Sequence, residues 1–376
     1  MRKIRIIGIL THFKLKKDHE GKEVCIVGGV DFARVVQPLS YLPKDKFEVD
    51  VQYEAVGKNS RFKTLEELTK YYDICYFSYI DSVPFYIQLK VLGMKNNMKM
   101  ITDLDDNIWQ VHPSHPNYKD FELGSEGNFK RGAILLDVDK VTTTNSFLRY
   151  KIVEYIKRPI QDIAIMPNFV DLTKYDFKKI APSPKSKELI IGYQGGSSHY
   201  PDINKPEFTK ALGIIMNKYP QVRFKTTFYM PQLKALFGYK YQYTLGRHNV
   251  YRFIDEVWTD MMSECSIFVA PLSYGHYNRS RSYIKYLEYS AGKRPSVMEK
   301  IDPYESVLVN AEERGFLANR TDEWVKHLSF LIEHPEAGKE IGENAYNYVK
   351  EKHTIQKNVG IYADYFHSLV DKPKNK

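Results

Sequence analysis

Short apolar runs recur along this chain, and between them apolar side chains return at every third or fourth position. The first rhythm is that of buried strands, the second that of helices with one face against a sheet. In the first half the runs predict strands at 5–10, 48–53, 74–78, 99–103, 140–143 and 164–166, with helices between them that include 31–41 and 146–155. The stretch Ala181-Pro-Ser-Pro-Lys-Ser-Lys-Glu188 breaks the rhythm and reads as a linker or exposed loop. It resumes with strands at 189–193, 222–228, 266–272 and 296–298 and helices at 208–218, 278–292, 323–333 and 337–351. A last helix at 356–370 follows Lys352-His-Thr354, where the chain is expected to cross back to its first half. This alternation predicts an α/β protein with a doubly wound, Rossmann-like sheet in each half. Two such sheets facing one another imply a cleft. Ligands of open α/β sheets bind beyond the carboxyl ends of the strands, so chemistry is expected in the loops that follow them.

The most informative loop follows Ser266-Ile-Phe-Val-Ala-Pro-Leu272 and leads into Asn278-Arg-Ser-Arg-Ser-Tyr-Ile-Lys-Tyr-Leu-Glu-Tyr-Ser-Ala-Gly292. It reads as a strand, a polar turn and a helix whose first turn is cationic. The free N–H groups and positive dipole end of such a helix favour an anion, and Ser280 and Ser282 are capping residue types. At helical spacing Arg281, Lys285 and Glu288 share one stripe, while Ile284, Leu287 and Ala291 form an apolar stripe able to pack on a sheet. One helix can thus hold a diphosphate at its head and a sugar hydroxyl further along. A surface ion pair of Lys285 with Glu288 and a solvated Arg281 is the plainer alternative.

Three other post-strand loops carry candidate residues. Gly28-Gly29 precedes the helix at Asp31 and would let backbone approach a ligand, or is an ordinary turn. Thr102-Asp-Leu-Asp-Asp-Asn-Ile-Trp109, followed by Val111-His-Pro-Ser-His-Pro-Asn-Tyr118, gathers Asp103, Asp105, Asp106, His112 and His115 near one strand end. Clustered acids raise one another's pKa and suit proton transfer or hydroxyl binding. An Asp-x-Asp divalent-metal site and a simple helix cap are the rival readings. Gly195-Gly-Ser-Ser-His199 offers glycines and hydroxyls to a phosphate, with His199 able to reach a ligand.

At 376 residues the chain is long enough for two domains, and its 43% hydrophobic and 14% aromatic content suits globular folding. A net charge of +9 suggests an anionic partner, such as a nucleotide, a nucleic acid, an anionic polymer or a membrane face, or simply a lysine-rich solvated surface. Cys25, Cys75 and Cys265 are far apart and read as reduced, buried thiols of a cytoplasmic protein. No Cys/His cluster has zinc spacing, no run is long enough to span a bilayer, and Arg2-Lys-Ile-Arg-Ile-Ile-Gly-Ile-Leu10 reads as a first strand rather than a signal peptide.

Met166-Pro-Asn-Phe-Val-Asp171, Gly195-Gly-Ser-Ser-His199, Val269-Ala-Pro-Leu272, the helix Asn278 to Gly292 and Gly292-Lys-Arg-Pro-Ser-Val297 together resemble the retaining nucleotide-sugar glycosyltransferases of family 4. The resemblance is most specific in the second half. It implies the GT-B fold, with an acceptor-side Rossmann-like domain at 1–170, a donor-binding one at 171–352 and a C-terminal helix at 353–376 returning to the first. In that family a Glu on this helix binds the donor ribose, and Glu288 stands at the matching position. A second Glu eight residues earlier is usual, and here that place is Ser280. The family's Arg and Lys pair is not plain after Gly195-Gly196, so Arg281 and Lys285 stand in for it. Acids replace the family's His after a first-domain strand. The resemblance implies transfer from a UDP- or GDP-sugar with retention, the leaving diphosphate helping to deprotonate the acceptor, and neither a protein nucleophile nor a metal is required.

The expected function is therefore glycosyl transfer in the cytoplasm, to a glycan, a wall or surface polymer or modified DNA, with peripheral membrane contact compatible. Asp105, Asp106 and His115 are the expected catalytic residues; Gly28, Gly29, Gly195, Gly196, His199, Ser280, Arg281, Ser282, Lys285 and Glu288 are the expected donor-binding residues. A non-catalytic nucleotide- or glycan-binding protein, favoured by Ser280, and an Asp-dependent metal enzyme centred on Asp103, Asp105 and Asp106 are the alternatives.

Overall fold

The computed structural model describes residues 2–17, 23–57, 60–78, 80, 82–174, 188–244 and 258–370. Residues 181–187, most of the expected linker, lie outside them. The chain divides into two compact units. The first comprises Met1–Gln110, Lys119–Asn168 and Ile355–Lys376, the second Val111–Tyr118 and Phe169–Thr354.

The first unit is built on β1 (Ile4–Ile9), β4 (Phe47–Gln52), β5 (Ile74–Phe77), β6 (Lys99–Leu104), β7 (Lys140–Thr143) and β8 (Ile163–Ile165), with β2 (Phe13–Lys17) and β3 (Glu23–Val27) forming an antiparallel ribbon between β1 and the first helix. The sheet order is β4-β1-β5-β6-β7-β8, every pair parallel. All six residues of β1 are buried, as a strand covered on both faces requires. The apolar helix stripes supply one cover: Leu68, Leu89, Ile134, Leu148 and Ile152 pack with Cys75, Phe77, Met100 and Val141. The C-terminal helix Ile355–Ser368 belongs to this unit, where Phe366 packs edge-on to Tyr76 at 5.4 Å.

The second unit contains β9 (Leu189–Tyr193), β10 (Val222–Thr226), β11 (Tyr241–Tyr243), β12 (Ile267–Ala270), β13 (Ser296–Glu299) and β14 (Phe316–Ala318), ordered β11-β10-β9-β12-β13-β14 and again all parallel. In each sheet the winding reverses once, between β1 and β5 in the first and between β9 and β12 in the second. Such a reversal leaves a crevice at the strand ends, because the connections on its two sides diverge.

Three elements depart from the sequence pattern. The helix expected at 31–41 runs from Gly29 to Ser40 with a π-helical turn at Phe32–Val36. Pro38 has no N–H for the Arg34 carbonyl, which loosens the ladder there. The segment Val111–Tyr118, expected in the first domain, groups with the second unit. The helix expected over 278–292 is two pieces, His276–Arg279 and Ile284–Ala291, with Ser280 to Tyr283 as the break.

Candidate functional site

At the β9/β12 reversal of the second unit a polar cluster assembles around the loop after β9. Tyr193 ends that strand fully buried, and a Cβ at Gly195 would lie 2.8 Å from its hydroxyl, so only glycine fits there. Thr227 braces the turn, accepting from the Gly195 N–H at 3.0 Å and donating to the Gly195 carbonyl at 2.8 Å. Gly196 is exposed, and a Cβ there would meet only Ser198 Oγ, at 3.9 Å. The buried His199 donates from Nδ1 to Asp202 at 2.8 Å, and its Nε2 faces Arg281 Nη1 at 3.2 Å, which fixes the tautomer. Burial, then the charges of Arg281 and Lys285, push the imidazole down to about 3, so it is neutral at physiological pH. Burial alone would raise the Asp202 carboxyl, but the hydrogen bond from His199, the charge of Arg281 and the Ser273 N–H hold it below the usual range. Its other oxygen accepts from the Ser273 N–H at 2.9 Å and from Asn278 Nδ2 at 2.7 Å. One carboxylate thus ties the β9 loop to the β12 loop.

The cations converge on the same place. Arg281 lies 4.8 Å from the Tyr277 ring centroid and donates to its hydroxyl at 3.0 Å, while Lys285 Nζ sits 5.3 Å over the Tyr193 ring. Glu288, one turn beyond Lys285 and partly exposed, is pushed up to about 7 by loss of hydration against the pull of Lys285. Ser282 accepts from the Ile284 N–H at 3.4 Å at the helix start. Ser280 is fully buried and donates to the His276 carbonyl at 2.7 Å, so it closes the short helix instead of capping the next. Buried polar atoms without partners remain here: the Tyr193 hydroxyl, Gln194 Oε1 and Asn278 Oδ1. Unpaired buried polar groups of this kind are expected where a ligand completes them. A cavity of about 1030 Å³ opens beyond β12–β14 in the same unit, lined by Ser273, Tyr274, Lys300, Asn319 and the buried pair Lys205–Glu299 at 2.6 Å. The sequence reading missed this pair, whose members are 94 residues apart.

In the first unit the acidic loop after β6 separates by role. Asp103 is buried with both oxygens held by Arg34, from Nε and Nη2 at 2.8 Å each, and it also accepts from Tyr76. The Asp-triad metal reading loses this ligand, because a guanidinium occupies the carboxylate. Asp105 is pushed up to about 8 by burial and then by the charges of Asp106 and Asp103. Asp106 follows it, partly exposed. His115 groups with the second unit, its ring 6.3 Å from that of Tyr277.

At the β1/β5 reversal lies a group that the sequence reading passed over. The Gly28 N–H donates to the His12 carbonyl at 2.6 Å, closing the base of the β2–β3 ribbon, and a Cβ on Gly28 would lie 2.8 Å from that oxygen. The first glycine of the pair thus serves an internal contact, while Gly29 borders open space. The closure brings Asp31, fully buried, beneath Thr11 and His12, whose N–H groups donate to it at 2.6 and 2.7 Å. His12 and Asp31 are nineteen residues apart. The signal that could have revealed them was a His at the end of the first strand together with an Asp opening the next helix.

No protein-family profile and no curated protein matches the chain. Solved structures do. Anabaena HepE, in complex with UDP and glucose, superposes with a TM-score of 0.63 at 11% identity over 98% of this chain and 100% of that one. A glycosyltransferase from Rickettsia africae gives 0.60 at 12% over 99% and 100%, and the sucrose-phosphate synthase of Thermosynechococcus elongatus 0.58 at 14% over 98% and 100%. The chain has the GT-B fold.

Proposed function

We propose that the protein is a glycosyltransferase that moves a hexosyl group from a UDP- or GDP-sugar to a glycan acceptor with retention of configuration. The observation that carries this reading is the cluster at the β9/β12 reversal. Two cations, a neutral imidazole, a glycine turn and unpartnered buried polar atoms surround the place where this fold receives a phosphate-bearing ligand. Arg281, Lys285, Ser282 and the Gly195-Gly196 turn hold the diphosphate, and Glu288 the ribose hydroxyls. The leaving group departs as a nucleoside diphosphate whose growing charge these donors neutralise. HepE, solved with UDP-glucose, supports this by analogy of fold. Three free cysteines, two of them buried, accord with a cytoplasmic setting.

The test is release of nucleoside diphosphate across a panel of nucleotide sugars, with Glu288→Ala beside the wild type. Turnover of one donor, reduced at least tenfold in the variant, supports the assignment; undiminished turnover removes Glu288 from the site. Ser280, buried and tied to His276, favours one second reading, a nucleotide-binding protein without transfer. UDP binding with no turnover of any donor identifies that case.

A further inference from the structure

The cavity of the second unit lies at the carboxyl ends of β9, β12, β13 and β14, the end at which open α/β sheets take ligands, yet the donor cluster does not use it. A single seam separates the two. The Ser273 N–H is held by Asp202 of the donor cluster, while the Ser273 hydroxyl donates to the Pro201 carbonyl at 3.0 Å, and both Ser273 and Pro201 line the cavity. At about 1030 Å³ it stands at the top of the range of roughly 300–1,000 Å³ that small-molecule sites occupy. Its charges cancel. Lys205 and Glu299, 10% and 5% exposed, pair at 2.6 Å; Arg320 at the rim is held by Asp322 at 3.0 Å and Glu323 at 3.2 Å; Lys300 and Glu207 have opposite signs. A phosphate entering here would find the buried cation already neutralised by a carboxylate. The buried pair nevertheless keeps hydrogen-bonding capacity. Glu299 takes Lys205 on Oε1 and the Leu272 N–H on Oε2 at 3.2 Å, and Lys205 reaches the Leu272 carbonyl at 3.5 Å. An ammonium has three N–H groups and a carboxylate about four lone-pair sites, so a donor and an acceptor remain side by side. Two adjacent hydroxyls, each able to give and to take a hydrogen bond, match that arrangement. The side-chain amides of Asn204, Gln232 and Asn319 in the lining have the same double capacity, and the Tyr274 ring, 83% exposed, offers an apolar face at the rim.

Resting on the glycosyltransferase reading, we infer that this cavity is a second ligand site of the donor-side unit, which holds a neutral oligosaccharide segment of the acceptor glycan. An uncharged, polyhydroxylated chain uses every group named: vicinal hydroxyls on the Lys205–Glu299 pair, further hydroxyls on the three amides, and the C–H face of a pyranose on Tyr274. No covalent step occurs here. A glycan held in the cavity by several sugars raises the effective concentration of its acceptor end, so affinity grows with chain length without any added contact at the reacting atoms. Acceptors of several sugars are therefore preferred over single sugars, and Tyr274 and Asn319 are binding residues rather than catalytic ones.

The experiment presents the full chain, without UDP, to an array of neutral and acidic oligosaccharides and of single sugars, and then titrates the strongest neutral binder against wild type, Tyr274→Ala and Asn319→Ala, with UDP affinity followed in parallel. Both side chains are exposed, so these substitutions leave the core intact. The expected result is binding of at least one neutral oligosaccharide in preference to its single sugars, weakened roughly tenfold by each substitution, with UDP affinity within about twofold. Binding of no oligosaccharide, of acidic ones alone, or of a neutral one equally by wild type and both variants overturns the site. Loss of UDP affinity in the variants in place of glycan affinity overturns it as well, by making the cavity part of the donor site. Glycan binding as expected with no turnover of any nucleotide sugar keeps the oligosaccharide site and removes the glycosyltransferase reading, whereas turnover without glycan binding does the reverse.

Discussion

Glu288 and Ser280 are eight residues apart in sequence but opposite in environment. The Glu288 carboxyl, with an ordinary value of 4.5, is pushed up to about 7 by loss of hydration. A raised folded pKa means that the native state binds the proton more tightly than the unfolded chain. Its stabilising effect is therefore fully present at low pH and is lost as pH rises from about 4.5 through about 7. Glu288→Gln, which needs no proton to stay neutral, is expected to melt at the wild-type temperature at pH 5 and roughly 3 °C higher at pH 8. That difference corresponds to about 1 kcal/mol once partial exposure and screening are allowed for. The same variant should bind UDP roughly 10- to 100-fold more weakly, through loss of a charged acceptor for the ribose. A melting series in buffers from pH 5 to 8 and a UDP titration check the two halves. His199 has the opposite sign: its imidazole is pushed down to about 3, so stability is lost as pH falls below its ordinary value of 6.5. Lys285 and Glu288 lie on one helix as their spacing expected, whereas Arg281, expected on the same stripe, lies in the break before that helix. The burial of Ser280 was not legible in sequence, because it depends on a break in the helix that spacing does not show.

At the scale of elements, the π turn at Phe32–Val36 directs Arg34 at Asp103, with Nη1 donating to Asn168 at 2.6 Å. Removing one member of a fully buried, bidentate pair leaves the other unpaired, so Asp103→Asn is expected to destabilise the protein by about 3 kcal/mol in urea unfolding. Arg34→Met with Asp103→Leu should recover part of that loss. The helix Pro335–Lys352 makes a second close contact. A Cβ at Gly342 would stand 2.3 Å from the Lys293 carbonyl, in the turn that ends the Glu288 helix with Lys293 at φ 56°. Backbone cannot retreat as a side-chain tip does, so Gly342→Ala should cost about 2 kcal/mol and weaken UDP binding by displacing that helix, as thermal melts with and without UDP will show. Strands and helices were mostly legible because β9 is a continuous apolar run, β1 is one after Arg5, and helices such as Thr321–Glu333 carry a clear stripe. The β2–β3 ribbon escaped notice because Lys14, Lys16 and Lys17 break up β2, in which only Phe13 is even partly buried. The three-residue strands β11 and β14 were missed, although β8, equally short, was expected.

For the whole molecule, nucleotide binding is expected to stabilise the native chain by mass action, about 2.7 kcal/mol at a UDP concentration one hundred times its dissociation constant. A melt that UDP leaves unmoved would count against the donor site as a whole. The net charge of +9 bears on the acceptor. Transfer to a neutral glycan should vary little between 50 and 200 mM salt, whereas a DNA acceptor would lose affinity steeply through the return of counterions. Alternation of strand and helix, together with the loops that follow strands, determined by sequence alone that two Rossmann-like sheets would form, because hydrophobic periodicity is local and each period matches one kind of element. Only the tertiary structure decided where the winding of each sheet reverses. The folded chain sets Asp31 against the backbone of Thr11 and His12 after β1, groups His115 with the second unit, and puts a guanidinium on Asp103. Strand order is a choice among long-range pairings, and burial and charge partners follow from it, so none of these can be read from the spacing of residues along the chain.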